Sequence, residues 1–488
     1  MERDRTSDWV VIYGERRGTE WYAVKEINRI IQRDVPYILR IVGADSADEE
    51  VMHHNVIILG TPKSNPMIRR FLEDGVIDIC DGKPERYHLR VVPNGRVPGR
   101  HFVIIAGSNP NGLLYGIRDL EHYVLHRSST GSACQENVIP SFERQLSQVD
   151  MKGGPAIDYR GLWTWGHVVY DYKRYLDNMS RWKMNMVVIW NDHAPVNARE
   201  VVEYAHERGI KVIWGYSWGW GERVDPNRPE ELQIWTQRAI EKYEREYQDT
   251  GCDGIYFQTF TETNDLELNG RPIAELAVEW VNTISRKLFE RHPELIIQFG
   301  LHATSIRENY SALAGVDERV SIVWEDIGIP RPAFPFSYEP EELEYFDSAV
   351  NYTSRIARLR GAEERVGIVV KSMTNLDWSR FEHQPRSFVM GEWDPGFVSH
   401  RAQQKIGRWR RVESEWRKNL GRVLETVRAL ADARPRRSTV LGLVEDGLWE
   451  EKMWLPVVLL AEASWGPHTE PQQLLEKVCM TQDVCQLE

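Results

Sequence analysis

Residues Cys252 to Asp265 read CDGIYFQTFTETND, between two amphipathic stretches, PEELQIWTQRAIEKYEREYQDTG (229–251) and PIAELAVEWVNTISRKLFERH (272–292). Ile255, Tyr256 and Phe257 open the segment as a buried strand, and Gln258, Thr259, Thr261, Glu262 and Thr263 follow at once. A short apolar run flanked by helical periodicity is expected to be a parallel strand in a helix-covered sheet. The abrupt polar turn marks where that strand leaves a packed interior and delivers a carboxylate.

The same rhythm extends in both directions. DYRGLWTWG, MNMVVIWND and IKVIWGYSW precede the segment as strand candidates, and ELIIQFGLH, RVSIVWEDIG, RVGIVVKSMTN and STVLGLVED follow it, with helical patterns between most of them. Eight strand–helix alternations over about 310 residues predict an α/β fold of the (β/α)8 TIM-barrel type, for which about 250 residues is typical. A doubly wound open sheet is the alternative, and no glycine-rich phosphate fingerprint follows the first strand to support it. Ahead of the barrel, residues 1–126 alternate apolar runs (VVIYGE, NVIILGTP, HFVIIAGS) with the helical GTEWYAVKEINRIIQR and NPNGLLYGIRDLEHYVLHR, which predicts a small α/β sandwich domain. Residues 127–155 read as a polar linker, 156–470 as the barrel and 471–488 as a carboxyl-terminal tail.

Bulk properties narrow the function. The formal net charge of -12 and pI near 5.7 argue against a nucleic-acid partner, which needs a basic face. No run approaches the roughly 18 apolar residues of a membrane span. The amino-terminal MERDRTSDWVVIYGERRG has no apolar signal core, and five scattered cysteines suit reduced thiols, so a cytoplasmic location is expected. A homo-oligomer is compatible with all of this.

In such barrels chemistry collects at the carboxyl ends of the strands. In chain order those ends carry Arg160, Trp163, Trp165 and His167; Trp190, Asn191, Asp192 and His193; and Trp214, Tyr216, Trp218, Trp220 and Glu222. They continue with Gln258, Thr261, Glu262 and Asn264; His302; and Trp324, Glu325 and Asp326. The last two carry Lys371, Asn375, Asp377 and Trp378, then Glu445, Asp446 and Trp449. Aromatic plates with carboxylates, amides and imidazoles suit a sugar: the rings cover the CH faces of a pyranose and the polar groups take its hydroxyls. Glycoside hydrolysis needs two carboxyl groups flanking the scissile bond, one to protonate the leaving oxygen and one to activate water or attack carbon. Glu262 is the candidate acid, and Glu325 or Asp326 the candidate partner. Arg160, Trp163, Trp165, Trp190, Asn191, Asp192, His193, Trp214, Trp218, Gln258, His302, Trp324, Lys371, Asp377, Glu445 and Asp446 are the candidate substrate-binding set, and no cofactor is expected. Asp192, His193 and His302 could instead hold a divalent ion, in a metal-dependent lyase or isomerase. A non-catalytic carbohydrate-binding barrel is the other alternative.

YDYKRYLDNMSRWKMNMVVIWNDHAP (170–195) and DPNRPEELQIWTQRAIEKYEREYQDTGCDGIYFQTFTET (225–263) resemble the xylan α-glucuronidases of glycoside hydrolase family 67. HFVIIAGSNPNGLLYGIRDLEHYV (101–124) is similar to the end of an accessory domain that this family shares with the family-20 β-hexosaminidases. The resemblance implies a general-acid glutamate at Glu262 and a uronate among the substrate sugars, whose carboxylate Lys371, Arg331 or His302 could take. Thr-Glu-Thr-Asn stands where that family has Ser-Glu-Gly-Gln, and its Asp-Phe-Gln motif has no counterpart near Glu325 and Asp326, so the partner of Glu262 stays open among Glu325, Asp326, Asp377, Glu445 and Asp446. Thr261 stands where the hexosaminidases have the Asp of a substrate-assisted pair.

Overall fold

The computed structural model describes residues 9–32, 38–79, 82–125, 149–302, 304–327, 349–371, 373, 376, 383–481 and 483–487, without the side chains of residues 326 and 327. The chain forms two compact units, the first centred on residues 1–155 and the second on residues 156–479.

The first unit is a six-stranded mixed sheet in the order β2-β1-β3-β5-β4-β6. Its strands are β1 (Trp9–Tyr13), β2 (Arg40–Gly43), β3 (Asn55–Gly60), β4 (Tyr87–Pro93), β5 (His101–Gly107) and β6 (Asp150–Gly153). The first three and β5 run parallel, while β4 is antiparallel to both β5 and β6. Of these, β1, β3 and β5 carry the buried apolar runs Val10–Ile12, Val56–Leu59 and Val103–Ala106, while β2 lies at the sheet edge and is largely exposed. Helix Gly18–Gln32 buries Tyr22, Val24, Ile27, Ile30 and Ile31. Helices Pro66–Glu73 and Pro110–Asp119 start in the same way: an asparagine side chain, Asn65 or Asn109, accepts a first-turn N–H, and proline follows at the first helical position. β6 lies in the stretch expected to be a linker and pairs with β4 at the sheet edge.

The second unit is the expected barrel. Eight parallel strands close in the order β10-β13-β14-β15-β16-β7-β8-β9. They are β7 (Tyr159–Trp165), β8 (Met186–Trp190), β9 (Lys211–Gly215), β10 (Gly254–Gln258), β13 (Ile296–Leu301), β14 (Val320–Ile327), β15 (Arg365–Val370) and β16 (Arg437–Leu443). Between β10 and its helix lies a hairpin of β11 (Glu267–Leu268) and β12 (Arg271–Pro272), turned by Asn269 and Gly270, both at positive φ. Each barrel strand alternates between two cores. Leu162, Val187, Val212, Ile255, Phe257, Phe299, Ile322, Ile368 and Val440 face the helices. Trp163, Trp165, Met186, Val188, Trp190, Ile213, Tyr256, Val323, Val369, Leu441 and Leu443 fill the barrel interior. The long helix Pro395–Asp432 buries Trp409, Val412, Trp416, Leu420 and Val423 in the outer, helix-facing core. Residues 471–479 are helical, and their Leu474 and Val478 join the same core. No helix among the described residues is long and apolar enough to cross a membrane.

Candidate active site

Strand parity decides which side chains reach the barrel mouth. Gln258 lies two residues beyond Tyr256 on the inner face, and Glu325 two beyond Val323. Glu325 is buried, and its two oxygens accept from Gln258 Nε2, each at 2.7 Å, while the Tyr256 hydroxyl donates to Oε1. Lys371 Nζ stands 3.4 Å from Glu325 Oε2, and His302 Nε2 stands 3.5 Å from it. A carboxylate oxygen accepts only, and this ring supplies it with donors. Gly300, paired with Gln258 and Val323 on the neighbouring strands, leaves the space: a Cβ there would sit 2.3 Å from Glu325 Oε1 and 2.5 Å from the Tyr256 hydroxyl.

Glu262 lies four residues past the end of β10, with its side chain 53% exposed. The Trp220 indole N–H donates to its Oε2, and His302 Nε2 is 3.7 Å away. One imidazole nitrogen therefore borders both carboxylates, whose facing oxygens can be no more than about 7 Å apart. Beside them rises an aromatic wall. Trp165 and Trp190 have centroids 5.8 Å apart, Trp163 and Trp190 6.1 Å, and Trp190 and Trp220 5.6 Å. The wall is held by its own polar edge, since Trp165 Nε1 donates to the buried Glu445 at 2.6 Å. Gly215 makes the room that the Trp190 ring needs, because a Cβ there would meet ring atom Cε3 at 2.9 Å. The Trp163 and Trp190 indole nitrogens are buried and have no acceptor among the described residues.

Asp192 is also at the mouth, where His383 Nδ1 (2.8 Å) and the Gln384 N–H (3.0 Å) meet its Oδ2. The His383 ring packs edge-on against Trp165 and Trp220. Burial holds His167 below its usual pKa, against the pull of Asp192 and Asp446. Asn191 is buried near the mouth, its Oδ1 against Gly166.

Several expected site residues lie elsewhere. Arg160 has the opposite parity to Trp163 and Trp165, and its guanidinium donates to the carbonyls of Ile157, Asp158 and Lys183 at the amino end of β7. It is a fastener of the barrel floor, not a sugar ligand. Trp214 faces the helices, donating to Thr250 Oγ1 and stacking on Tyr247. Trp218 stacks on Phe257 at 3.6 Å in the outer core, and Trp324 packs on Tyr352 there. Asp446 is buried under Tyr170, Arg401 and Lys405, which together satisfy its carboxylate. His193 lies beside Glu246, 3.7 Å away. Asp192, His193 and His302 thus have separate partners, and no group of three or more potential metal ligands occurs among the described residues. Asp377 and the side chain of Asp326 lie outside the described residues. Tyr256, Trp220 and His383 complete the site beyond the expected set. The alternation that places Gln258 inward also places Tyr256 there, whereas His383 comes from a long connection with no periodic signal.

The fold is a closed (β/α)8 barrel, with a separate α/β domain ahead of it in the chain. No protein-family model matches the chain, and no curated protein matches it. A solved family-138 enzyme targeting pectin rhamnogalacturonan II is similar at a TM-score of 0.51 and 13% identity, over 95% of this chain and 51% of that one. A family-115 4-O-methyl-α-glucuronidase with specificity for decorated arabinogalactans is similar at 0.50 and 15% identity, over 94% and 57%. The chain thus spans about half the length of these structures.

Proposed function

We propose that this protein is a glycoside hydrolase using Glu262 and Glu325 as its carboxyl pair. The observation that supports this most is the position of His302 within 4 Å of both carboxylates, at the carboxyl ends of the fourth and sixth barrel strands. Glu262, at the solvent rim, is the acid that protonates the leaving oxygen. Glu325, ringed by Tyr256, Gln258 and Lys371, is the partner that activates water or attacks the anomeric carbon. Trp220, half-buried beside Glu262, offers its ring face to the sugar, and the buried Trp163, Trp165 and Trp190 form the packed aromatic bed behind it.

The finer reading is a glucuronic-acid-type sugar. Its support is the family-67 resemblance of residues 170–195 and 225–263, with Lys371 and His302 as the mouth's basic side chains. The test is hydrolysis of aryl glycosides and aldouronic oligosaccharides by wild type, Glu262→Gln and Glu325→Gln, with product anomers followed by NMR. Cleavage by wild type that collapses in both variants is expected. Full activity in either variant would remove that residue from the chemistry.

A further inference from the structure

Trp393 and Phe397 are the most exposed large aromatic side chains among the described residues, at 49% and 41%. They are stacked on each other, centroids 5.3 Å apart and planes 24° apart, and both meet the edge of Tyr170. Exposed apolar patches of this kind mark binding surfaces, since water disfavours them.

The pair is also held rigidly. The connection after β7 and the connection after β15 are zipped together for three residues. Tyr172 N–H donates to the Gly391 carbonyl at 3.1 Å, Asp171 and Glu392 form an antiparallel bridge, and Trp393 N–H donates to the Tyr170 carbonyl at 3.0 Å. Gly391 has φ +68°, and a Cβ there would stand 2.5 Å from Tyr172 N, so only glycine allows this approach. Asp394 then caps the following helix by accepting from Phe397 N–H. Such a scaffold fixes the two rings before any ligand arrives.

The platform is continuous with the candidate site. It stands on the carboxyl-terminal face, because the β7 connection begins at Gly166, directly after Trp165. The Tyr170 hydroxyl donates to Asp446, and the adjoining Glu445 accepts from Trp165 of the aromatic wall.

We infer that Trp393 and Phe397 form a second, outlying sugar-binding subsite that takes a pyranose ring of an extended glycan whose scissile bond lies at the mouth. This rests on the carbohydrate reading of that mouth. The exposed ring face covers the CH face of the sugar.

Affinity electrophoresis tests it without turnover, with glucuronoxylan, arabinogalactan and pectic rhamnogalacturonan cast in native gels. Wild type should be retarded by at least one of them, and Trp393→Ala and Phe397→Ala should weaken that binding about tenfold or more. Trp393→Tyr should preserve it, and Ile234→Ala, at an exposed apolar position on helix Pro229–Lys242, should not alter it. A retarded protein that hydrolyses nothing, and whose retardation needs Trp393, would sink the hydrolase reading and keep the subsite. Retardation unchanged in both alanine variants would overturn the subsite whatever the activity, as would no retardation of wild type in any gel. If light scattering shows a dimer that Trp393→Ala converts to monomer, the occupant is a second copy of the chain and the sugar proposal fails.

Discussion

Glu262 and Glu325 share one neighbour: His302 Nε2 lies 3.7 Å from the first and 3.5 Å from the second. The two carboxylates differ sharply in setting, with side chains 53% and 4% exposed. Different environments are how paired carboxyl groups acquire different roles. Glu325→Gln keeps the shape but turns an acceptor facing Gln258, Tyr256 and Lys371 into a group with its own N–H donors. We expect kcat to fall by roughly 10²–10⁴-fold, with a similar loss in Glu262→Gln. The two losses should not add in the double variant, since groups acting as a unit are non-additive. Steady-state kinetics on the best aryl glycoside read this directly, and additive losses would argue against a shared mechanism.

Gly300 is the cheapest point at which to disturb this arrangement. The Cβ of Gly300→Ala would press on Glu325 Oε1 and on the Tyr256 hydroxyl, and neither side chain has open space to retreat into. Overpacking of this kind costs about 1–3 kcal/mol, and a displaced carboxylate should cost activity beyond that. We expect a lower Tm together with at least about a tenfold loss of kcat. Gly407→Ala is the control: it lies in helix Pro395–Asp432 with nothing within 4 Å of its Cβ, and should stabilise by about 0.5–1 kcal/mol. Equal activity in wild type and Gly300→Ala would mean that Glu325 is not held where its role requires.

The barrel was legible because all eight strands are apolar runs, most of them separated by helix-length patterns, and all eight form where that rhythm places them. The site was legible only in part, for a reason of parity. Trp163, Trp165 and Trp190 share the inner face with Tyr256, whereas Trp214 and Trp324 each follow an inward residue, Ile213 or Val323, by one step and turn toward the helices. Tryptophan type carries no sign of which face it takes. Anchoring each strand on its small or polar inward residue, such as Gly215 or Gln258, would have separated the two groups. Asp446 looked like a mouth carboxylate because it follows Glu445. Its partners Arg401 and Lys405 come from a helix some 40 residues earlier, a pairing that no local pattern announces.

Arg160 gives a test of that parity argument. Its guanidinium bonds three backbone carbonyls in a fork that an ammonium cannot reproduce. Arg160→Lys should destabilise the barrel by about 1–3 kcal/mol, through carbonyls left without a donor. KM and kcat of the folded fraction should stay as in wild type. A raised KM with unchanged Tm would return Arg160 to the substrate.

Glu450 makes the stability of the barrel's carboxyl-terminal face depend on pH. It is fully buried in the connection after β16, where it accepts from Tyr170 N–H at 2.6 Å, and burial pushes its pKa up to about 7. Between the ordinary carboxyl value of 4.5 and about 7, the folded protein holds a proton that the unfolded chain has released. Stability from this group is therefore full below that window and is lost as pH rises through it, at up to about 1.4 kcal/mol per pH unit. Glu450→Gln keeps an acceptor for Tyr170 N–H and carries no proton to lose. Urea unfolding at pH 5 and pH 8 should show the variant gaining on wild type by roughly 2–3 kcal/mol between the two. An equal pH dependence in both proteins would show that Glu450 keeps the same protonation folded and unfolded, and that the connection bearing Tyr170 is not under this control.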